Sequence, residues 1–538
     1  MNTTLVKLVA LVCFGLVAVA CEPRVFVDQP APSSNHDGDI VVRRAAPRDW
    51  VADWTLLIYA ANDDLDPNLV AAFDEDADEW QHGLGGSALF RILVQRDYAP
   101  FQFDADNLPR PSERYAIYRE ERHHPEYPPG SGAPEALLLG ETDTTSSTTL
   151  RDFLVYGIRK FPARHYWVAF TGHGDGFAGL AHDASAAPGK RLHLAGLASA
   201  LTEASQVIAS EIRTQPQYAG PNTSNRIDVI SFDACRLGTI EVATSLGGAA
   251  DFMIASQESM PHAGHPYQAL RYIAQDEPDA DPHALVEAVV TDYVRAYVEG
   301  VSTAGRQYVG TSVTSIGLDL RHIAGLEQSL ADLAAVVEKN RPGGFSCADV
   351  EAFLVNACDE SQVALPRDTS ASAQRTNPTP AAAASVDLLA LLKHLTHGPT
   401  CSSSSQKNLL PEDDISRAAT RTLAILGFPK RAAPLDYGGQ YQEITEFNPS
   451  SPFVVEAQRV DPAQGVHLGG LSVLWGNPYD LLYRQNGRTL FDTYRALPFE
   501  AATGWTRMFA ACIEEAEACR AYEPSPDEPI SSNPCANF

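Results

Sequence analysis

Short apolar runs, rich in β-branched and aromatic residues, alternate with stretches of helical periodicity over the first 310 residues. The runs occupy residues 54–61, 89–94, 112–119, 165–171, 227–232 and 250–256. Between them apolar residues recur at helical spacing, as at Leu150, Phe153, Leu154 and Ile158. Strands that alternate with helices are typical of a mostly parallel sheet covered by helices on both faces. The pattern therefore predicts an α/β core over residues 49–310.

The pattern changes beyond residue 310. Helical periodicity dominates, as over residues 321–337, and the helical stretches are separated by loops rich in Ala, Ser, Thr and Pro. Mixed strand and helix signals return at residues 465–475 and 490–505. A chain of 538 residues can hold two or more subdomains. We therefore expect a helix-rich α+β subdomain over residues 311–520, followed by a tail over residues 521–538.

The N-terminus predicts export. Lys7 precedes an apolar run over residues 8–20, which is short for a membrane span and typical of a signal peptide. The sequence Ala18-Val19-Ala20-Cys21 resembles a lipobox, in which Cys21 would carry the lipid anchor. An ordinary secretory signal followed by a chance cysteine is the alternative. Residues 21–48 are rich in Pro, Ser, Asp and Ala and predict a flexible tether, so we expect the protein in the cell envelope or, without the lipid, secreted.

The composition restricts the partners. A formal net charge of −28 argues against nucleic acid and anionic membranes, which would be repelled, and favours cationic substrates. No second apolar run approaches the roughly 20 residues of a transmembrane helix. We therefore expect membrane contact only through the N-terminal lipid.

The nine cysteines fall into three groups. Cys13 and Cys21 belong to the N-terminal segment, and Cys235 lies alone in the middle of the chain. Six lie in the C-terminal third: Cys347, Cys358, Cys401, Cys512, Cys519 and Cys535. An even number in an exported protein predicts up to three disulfides of undetermined connectivity, and a zinc site is the weaker alternative because no C-x-x-C pair is present. Cys235 is the odd cysteine, and an unpaired thiol in an exported protein requires an explanation.

Candidate catalytic residues follow two of the predicted strands directly. Thr171-Gly172-His173-Gly174 follows one of them, and Asp233-Ala234-Cys235 follows the next. Both segments are expected at the carboxyl edge of a parallel sheet, where such folds bind ligands. A thiol needs a nearby base to act as a nucleophile at neutral pH, and imidazole is the usual one. We therefore predict His173 as the base, Cys235 as the nucleophile, and the backbone amides of Gly174 and Cys235 as oxyanion donors.

These residues resemble the clostripain family of cysteine peptidases, which are relatives of caspases, legumains and gingipains. The resemblance spans roughly residues 50–515. Besides the strand-His-Gly and strand-Asp-Ala-Cys segments, it includes residues 62–66, 192–201, 250–258, 261–267, 469–475 and 503–505. It implies a caspase-like fold and an endopeptidase that acts through a thioester acyl-enzyme.

The resemblance also implies how the substrate is selected. Asp233, two positions before the nucleophile, would face the P1 side chain, and Gln257 and His265 would line the pocket. Cleavage after Arg, or after Lys, is therefore expected in protein or peptide substrates. His265 and Phe177 stand where tryptophan is common in the family, which leaves a non-basic P1 preference open. Family members are often cut between the His and Cys segments, and Lys190, Arg191 and Arg213 are candidate sites here.

Two further alternatives stay open. Calcium dependence occurs in the family, and Asp63, Asp64 and Asp66 have side chains that can bind a hard cation, but helix capping explains them as well. We therefore assign no metal and no certain cofactor. A non-catalytic surface lipoprotein on a peptidase fold is the rival function, and the intact His173, Cys235 and Asp233 argue against it.

Overall fold

The structure is a computed structural model. It describes residues 51–104, 106–270, 280–303, 306–308, 311, 313–340, 385–397, 412–426, 441–443, 453–460, 470–474, 484–485, 488–510 and 513–514. These residues belong to one unit of the chain, Asp49–Phe538. The predicted signal peptide and tether, Cys21, the tail and the six C-terminal cysteines lie outside the described residues.

The described strands follow the predicted apolar runs closely. They are β1 (Ala52–Ala60), β2 (Phe90–Arg96), β3 (Ser112–Tyr118), β4 (Glu121–His123), β5 (Leu137–Gly140), β6 (Ala163–Thr171), β7 (Ile227–Asp233), β8 (Ala250–Ala255), β9 (Val301–Thr303), β10 (Arg306–Tyr308), β11 (Val313–Asp319), β12 (Ser385–Asp387), β13 (Tyr441–Glu443), β14 (Val454–Val460), β15 (Ser472–Leu474), β16 (Arg484–Gln485) and β17 (Arg488–Thr489). Most of them join one large sheet in the order β13-β14-β11-β8-β7-β6-β1-β2-β3-β4, with β5 also paired to β3.

This sheet is mixed. Its five central strands, β8, β7, β6, β1 and β2, are parallel to one another. The strands on either side pair antiparallel: β3, β4 and β5 next to β2, and β11, β14 and β13 next to β8. The parallel strands are buried along almost their whole length, which explains their near-continuous apolar sequences. The predicted α/β fold is confirmed.

Helices cover both faces of the sheet. They are α1 (Pro67–Asp78), α2 (Ser147–Lys160), α3 (Leu194–Val207), α4 (Ile240–Leu246), α5 (Pro282–Glu299), α6 (Ile323–Asn340), α7 (Leu388–His397), α8 (Glu412–Leu426), α9 (Leu490–Arg495) and α10 (Pro498–Thr503). Alternate residues of each strand pack on opposite sides. Leu57 and Val168 contribute to the core that contains α2, α3, α4 and α6, whereas Leu56 and Trp167 contribute to the core that contains α5.

The sheet continues across residue 310, where the boundary between core and C-terminal subdomain is expected. β8 on one side of this position pairs with β11 on the other, and β11 pairs with β14. Residues beyond 310 therefore extend the sheet that carries the predicted catalytic segments. Among the described residues, no helix is both long enough and apolar enough to span a membrane.

Candidate active site

Two neighbouring parallel strands bring the predicted catalytic segments together. Thr171, at the end of β6, lies opposite Asp233, at the end of β7, and the amide of Gly172 donates a hydrogen bond of 3.3 Å to the carbonyl of Asp233. His173 lies two residues beyond Thr171, and Cys235 lies two residues beyond Asp233. Because the strands are parallel and in register, both side chains emerge at the same edge of the sheet.

Gly174 packs directly against the backbone of Cys235. A Cβ atom at position 174 would lie 2.2 Å from the Cys235 carbonyl oxygen and 3.1 Å from the Cys235 amide nitrogen. Only glycine fits at this distance, because real Cβ contacts are much longer. The close approach places the two predicted oxyanion donors, the amides of Gly174 and Cys235, on adjoining stretches of backbone.

The Cys235 thiol lies over the loop that follows β8. Its Sγ atom accepts a hydrogen bond of 3.3 Å from the Met260 amide, and the side chain is half-buried. The same Sγ also lies 4.0 Å from the Met260 carbonyl oxygen. Arg236, the next residue, has a φ of +61°, a left-handed conformation that costs free energy in any non-glycine residue. The tight turn after Cys235 is therefore held by the surrounding structure.

A carboxylate orients the predicted base. Nε2 of His173 lies 2.6 Å from Oδ2 of Asp64, in the loop after β1, which is the strand on the other side of β6. Burial acts to raise the pKa of Asp64, but the hydrogen bond and charge of His173 outweigh it and hold that pKa below its usual value. Asp64 is therefore ionised at neutral pH. With the Nε2 proton directed at Asp64, the Nδ1 lone pair of His173 is left to accept a proton.

Two further histidines flank His173. The His182 ring meets the His173 ring edge-on, with centroids 5.1 Å apart. Burial, and after it the charge of His173, lowers the pKa of His182. Burial followed by the charge of Arg306 lowers the pKa of His262, and the charge of His173 acts in the same direction. Both flanking histidines are therefore neutral at pH 7, which leaves His173 as the base that has a carboxylate partner.

Asp233 is buried in a pocket lined by polar side chains. Its Oδ2 accepts a hydrogen bond of 3.0 Å from the His265 amide, and Gly264 packs so closely that a Cβ there would lie 2.7 Å from both carboxylate oxygens. The Tyr267 side chain interacts with both Asp233 and Trp80, whereas the buried Tyr293 hydroxyl has no hydrogen-bond partner among the described residues. Unsatisfied buried polar groups of this kind are costly unless a ligand pairs with them.

A second buried acid, Asp76, lies close enough to Asp233 for their charges to interact. Asp76, near the end of α1, is 6% exposed. Burial, and then the negative charge of Asp233, raises the pKa of Asp76 well above its usual value. A cationic side chain that entered this region would therefore meet two carboxyl groups.

The sequence predicts that Gln257 lines the substrate pocket, but the structure shows its side chain bound to C-terminal segments. Its side-chain amide donates to Oδ2 of Asp387 at 2.9 Å, and its Oε1 accepts from the Gly470 amide at 2.8 Å. The side chain is 2% exposed. Both ends of Gln257 are thus engaged in joining the sheet to C-terminal segments, and the residue is structural.

Two groups of side chains could hold a metal ion. Asp64, His173 and His182 form one, and Asp63, Asp97, Glu141 and Asp183 form the other. Asp66, which the sequence placed beside these as a cation ligand or a helix cap, is the N-cap of α1 and accepts a hydrogen bond from the Asn68 amide. Asp63, Asp64 and Asp66 are close in sequence, but each therefore lies in a different environment.

The role of Asp64 is not evident from the sequence. The end of β1 lies next to the end of β6 in the sheet. This order of strands cannot be predicted from the local sequence. The available signal is the position of Asp64 itself, four residues beyond an apolar strand, where parallel sheets place functional side chains.

Comparison with known proteins identifies a family whose model matches part of the chain. The clostripain family model matches residues 135–364, a segment that includes both His173 and Cys235. The resemblance seen in the sequence is thus confirmed. The matched segment therefore resembles a cysteine peptidase of the clostripain family, a class that acts on protein or peptide substrates. No curated protein matches the chain.

Solved structures of peptidases resemble the chain at low identity. One is a secreted C11 cysteine protease from Bacteroides thetaiotaomicron in complex with an irreversible peptide inhibitor; it is 15% identical, the match covers 84% of this chain and 99% of that one, and the TM-score is 0.47. Another is an inactive zymogen C11 protease from Parabacteroides distasonis, also 15% identical, with 84% and 98% of the chains covered and a TM-score of 0.49.

Proposed function

We propose that the protein is an exported cysteine endopeptidase that cleaves after basic residues, with Cys235 as nucleophile and His173 as general base. The observation that carries the proposal is the register of β6 and β7. Thr171 pairs with Asp233, so His173 and Cys235 follow paired residues by the same two positions. The packing of Gly174 on the Cys235 backbone brings the two loops together.

The chemistry proceeds in two halves. Nδ1 of His173 takes the thiol proton while Asp64 holds the imidazole through Nε2, and the Cys235 sulfur attacks the scissile carbonyl carbon. The amides of Gly174 and Cys235 stabilise the oxyanion, and the His173 proton passes to the departing amine. A thioester remains. Water, deprotonated by His173, then attacks the thioester and restores the thiol.

Asp233 and its surroundings favour a basic P1 residue. A guanidinium carries five N–H donors, and it would find the Asp233 carboxylate and the buried Tyr293 hydroxyl, which has no hydrogen-bond partner among the described residues. Arg fits better than Lys because its planar fork can pair with a carboxylate through two hydrogen bonds. The negative net charge of the chain attracts such substrates.

The buried His265 ring favours one second candidate, a peptidase with a neutral P1 preference. His265 is 3% exposed, its amide donates to Asp233, and its ring packs against the rings of Tyr267 and Tyr293. A neutral amide such as asparagine could donate to and accept from this ring.

Reporter peptides with Arg, Lys or Asn at P1 separate the candidates. We expect thiol-dependent cleavage of the arginyl peptide, loss of all cleavage in Cys235→Ala, and a fall of at least about 100-fold in arginyl kcat/KM in Asp233→Asn, because a charge-assisted pair at P1 is lost. Glu287→Gln, an exposed change on α5, is the matched control for the removal of a charge. Cleavage of the asparaginyl peptide alone would support the second candidate. If none of the three peptides is cleaved, the result would favour a non-catalytic protein.

A further inference from the structure

Two loops at the carboxyl edge of the sheet determine where the Cys235 thiol lies. The loop that follows β7, residues 234–239, carries Cys235 and is called the nucleophile loop here. The loop that follows β8, residues 256–260, lies beside it and is called the support loop. The Met260 amide of the support loop donates a hydrogen bond of 3.3 Å to Sγ of Cys235. The position of the support loop therefore bears directly on the sulfur atom.

Main-chain contacts join the two loops as well. The Arg236 amide donates to the Glu258 carbonyl at 3.0 Å, and the Gly238 amide donates to the Ser256 carbonyl at 2.7 Å. A Cβ atom at position 238 would lie 2.8 Å from the Gln257 amide nitrogen, which is closer than real Cβ contacts. Because closely packed backbone transmits strain, a shift of the support loop would also move the nucleophile loop.

The Gln257 side chain fastens the support loop to two C-terminal segments. Its Nε2 donates to Oδ2 of Asp387 at 2.9 Å, and its Oε1 accepts from the Gly470 amide at 2.8 Å. Gln257 and Asp387 are both buried. A shift of the Gln257 side chain would leave buried polar atoms unpaired, which costs free energy. The two hydrogen bonds thus hold this point of the support loop in one place.

The sheet supplies a second anchor for the same loop. The hydroxyl of Thr314 accepts hydrogen bonds from the amides of Gln257 and Glu258, at 3.1 and 3.3 Å. Thr314 is buried on β11, which pairs with β8 in the large sheet. The support loop is therefore held through its main chain by the sheet and through the Gln257 side chain by the C-terminal segments.

The same C-terminal segments also contact the nucleophile loop directly. The Ser472 amide, on β15, donates to the Gly238 carbonyl at 2.9 Å. β15 pairs with β12, and Ser472 lies opposite Asp387 in this pairing. One two-stranded sheet of C-terminal residues therefore reaches the support loop through Asp387 and the nucleophile loop through Ser472.

We propose that Gln257 is a positioning residue, a role that rests on the proposed function: through it the β12–β15 sheet holds the Cys235 thiol where it can react. The effect reaches the sulfur through the backbone of residues 258–260. Displacements near 1 Å at a reacting centre lower rates by about 100-fold. The contacts that make Gln257 structural therefore also bear on catalysis.

Gln257→Met tests the role, because it removes both hydrogen bonds at nearly constant side-chain volume. In the folded full chain we expect kcat on the arginyl peptide to fall by about 10- to 100-fold. KM should change much less, since Asp233 keeps its hydrogen bond from the His265 amide. Alkylation of Cys235 by iodoacetamide, which requires no substrate pocket, should become slower as well.

A matched control separates positioning from stability. The hydroxyls of Ser329 and Thr422 form a buried hydrogen bond of 2.8 Å between α6 and α8. Thr422→Val breaks this bond and should lower the Tm, as Gln257→Met does. It should leave kcat and the alkylation rate of Cys235 at the values of the parent protein.

An exchange of amide and carboxylate supplies a rescue. Gln257→Glu places a carboxyl group against Asp387 and should lower kcat at least as much as Gln257→Met does. Addition of Asp387→Asn restores a donor and an acceptor at unchanged net charge, because the amide at position 387 can donate to the carboxylate at position 257. The other oxygen of that carboxylate still accepts from Gly470. We expect the double variant to exceed Gln257→Glu in kcat by at least about tenfold.

Thr314 provides a second route to the same loop, should the Gln257 variants fail to fold. Thr314→Val removes the hydroxyl that accepts from the support loop, whereas Thr314→Ser retains it. We expect Thr314→Val to lower kcat and the alkylation rate of Cys235, and Thr314→Ser to preserve both. Equal values in the two variants would overturn the proposal.

Two results with Gln257 itself would also overturn it. One is a kcat and an alkylation rate in Gln257→Met that equal those of Thr422→Val, since Gln257 would then serve stability alone. The other is a double variant that is no more active than Gln257→Glu. If even the parent protein cleaves no peptide, the proposed function fails, and the alkylation rates of Cys235 still decide whether Gln257 positions the thiol.

Discussion

Nε2 of His173 and Oδ2 of Asp64 lie 2.6 Å apart, and this contact joins the loops that follow two neighbouring parallel strands, β6 and β1. A carboxylate on the far nitrogen of an imidazole fixes the tautomer and stabilises the cation that forms when the base takes a proton. We therefore propose Asp64 as a third member of the proposed catalytic pair, with a positioning role that it exerts through His173.

Replacement of Asp64 tests this positioning role. We expect Asp64→Ala to lower kcat by about 10²- to 10⁴-fold with little change in KM, because base function is lost while the substrate pocket is kept. The rate of Cys235 alkylation by iodoacetamide should fall as well. Asp66→Ala is the matched control: it removes the N-cap of α1 at a cost of about 1 kcal/mol in stability and should leave kcat unchanged. Equal kcat in the two variants would contradict the role of Asp64.

The contact between Gly174 and Cys235 gives a second prediction. Gly174→Ala introduces a Cβ that would lie 2.2 Å from the Cys235 carbonyl oxygen, so one of the two loops must move. We expect kcat/KM to fall by at least about 100-fold, since displacements near 1 Å at a reacting centre have that effect. Gly248→Ala is the control, because a Cβ there meets no atom of the described residues within 4 Å. An active Gly174→Ala variant would show that the loops are not in contact.

Cleavage between the His and Cys segments, if it accompanies activation, should follow Lys190. This residue is exposed in a turn after Gly189. Arg191 instead pairs with Asp175, and the Arg213 guanidinium donates to the carbonyls of Ala163, Arg164, Tyr218 and Ser224. A peptidase acts on accessible, extended segments, so the engaged arginines are poor sites. Mass spectrometry of purified material should find a fragment that begins at Arg191, and Lys190→Ala should lack it. A fragment that begins at Thr214 would contradict the prediction.

Glu241 predicts a pH dependence of stability. Its Oε1 accepts from the Leu474 amide and the Tyr494 hydroxyl, and the carboxyl group also interacts with Thr239. Burial outweighs these hydrogen bonds and raises the pKa of Glu241 above its usual value of 4.5. The folded state therefore holds the proton more tightly than the unfolded state does.

The linkage between protonation and folding determines the direction in which stability changes with pH. Below about pH 4.5 Glu241 is protonated in both states and its ionisation costs nothing. As the pH rises towards the pKa of Glu241 in the folded state, the folded protein loses stability relative to Glu241→Gln. The loss is about 1.4 kcal/mol for each pH unit that separates the folded-state pKa from the unfolded-state pKa. Thermal unfolding of both proteins across this range should show a Tm difference that grows in favour of Gln. A difference that is independent of pH would mean that Glu241 has a normal pKa.

The strands were predictable because those of the parallel core are buried on both faces and therefore form unbroken apolar runs. That the segments with His173 and Cys235 lie side by side was predictable for a related reason, since residues that directly follow adjacent parallel strands meet at one edge of the sheet. The reading of Asp66 as a helix cap is also confirmed, because capping depends only on neighbouring residues.

What the sequence did not reveal depends on contacts between distant segments. Gln257 binds Asp387 and Gly470, which lie 130 and 213 residues away, so its structural role has no local signal. Asp64 reaches His173 across 109 residues. The group formed by Asp63, Asp97, Glu141 and Asp183 likewise draws on the ends of three strands, whose order in the sheet cannot be derived from periodicity.

We propose that Cys235 forms an acyl-enzyme with the help of His173. Acid quenching of a single turnover with an arginyl ester, followed by peptide mapping, measures this directly. We expect the acyl group on Cys235 as a thioester, greatly diminished in His173→Ala and absent in Cys235→Ala. An acyl group on another residue, or substrate turnover that persists in Cys235→Ala, would contradict the account.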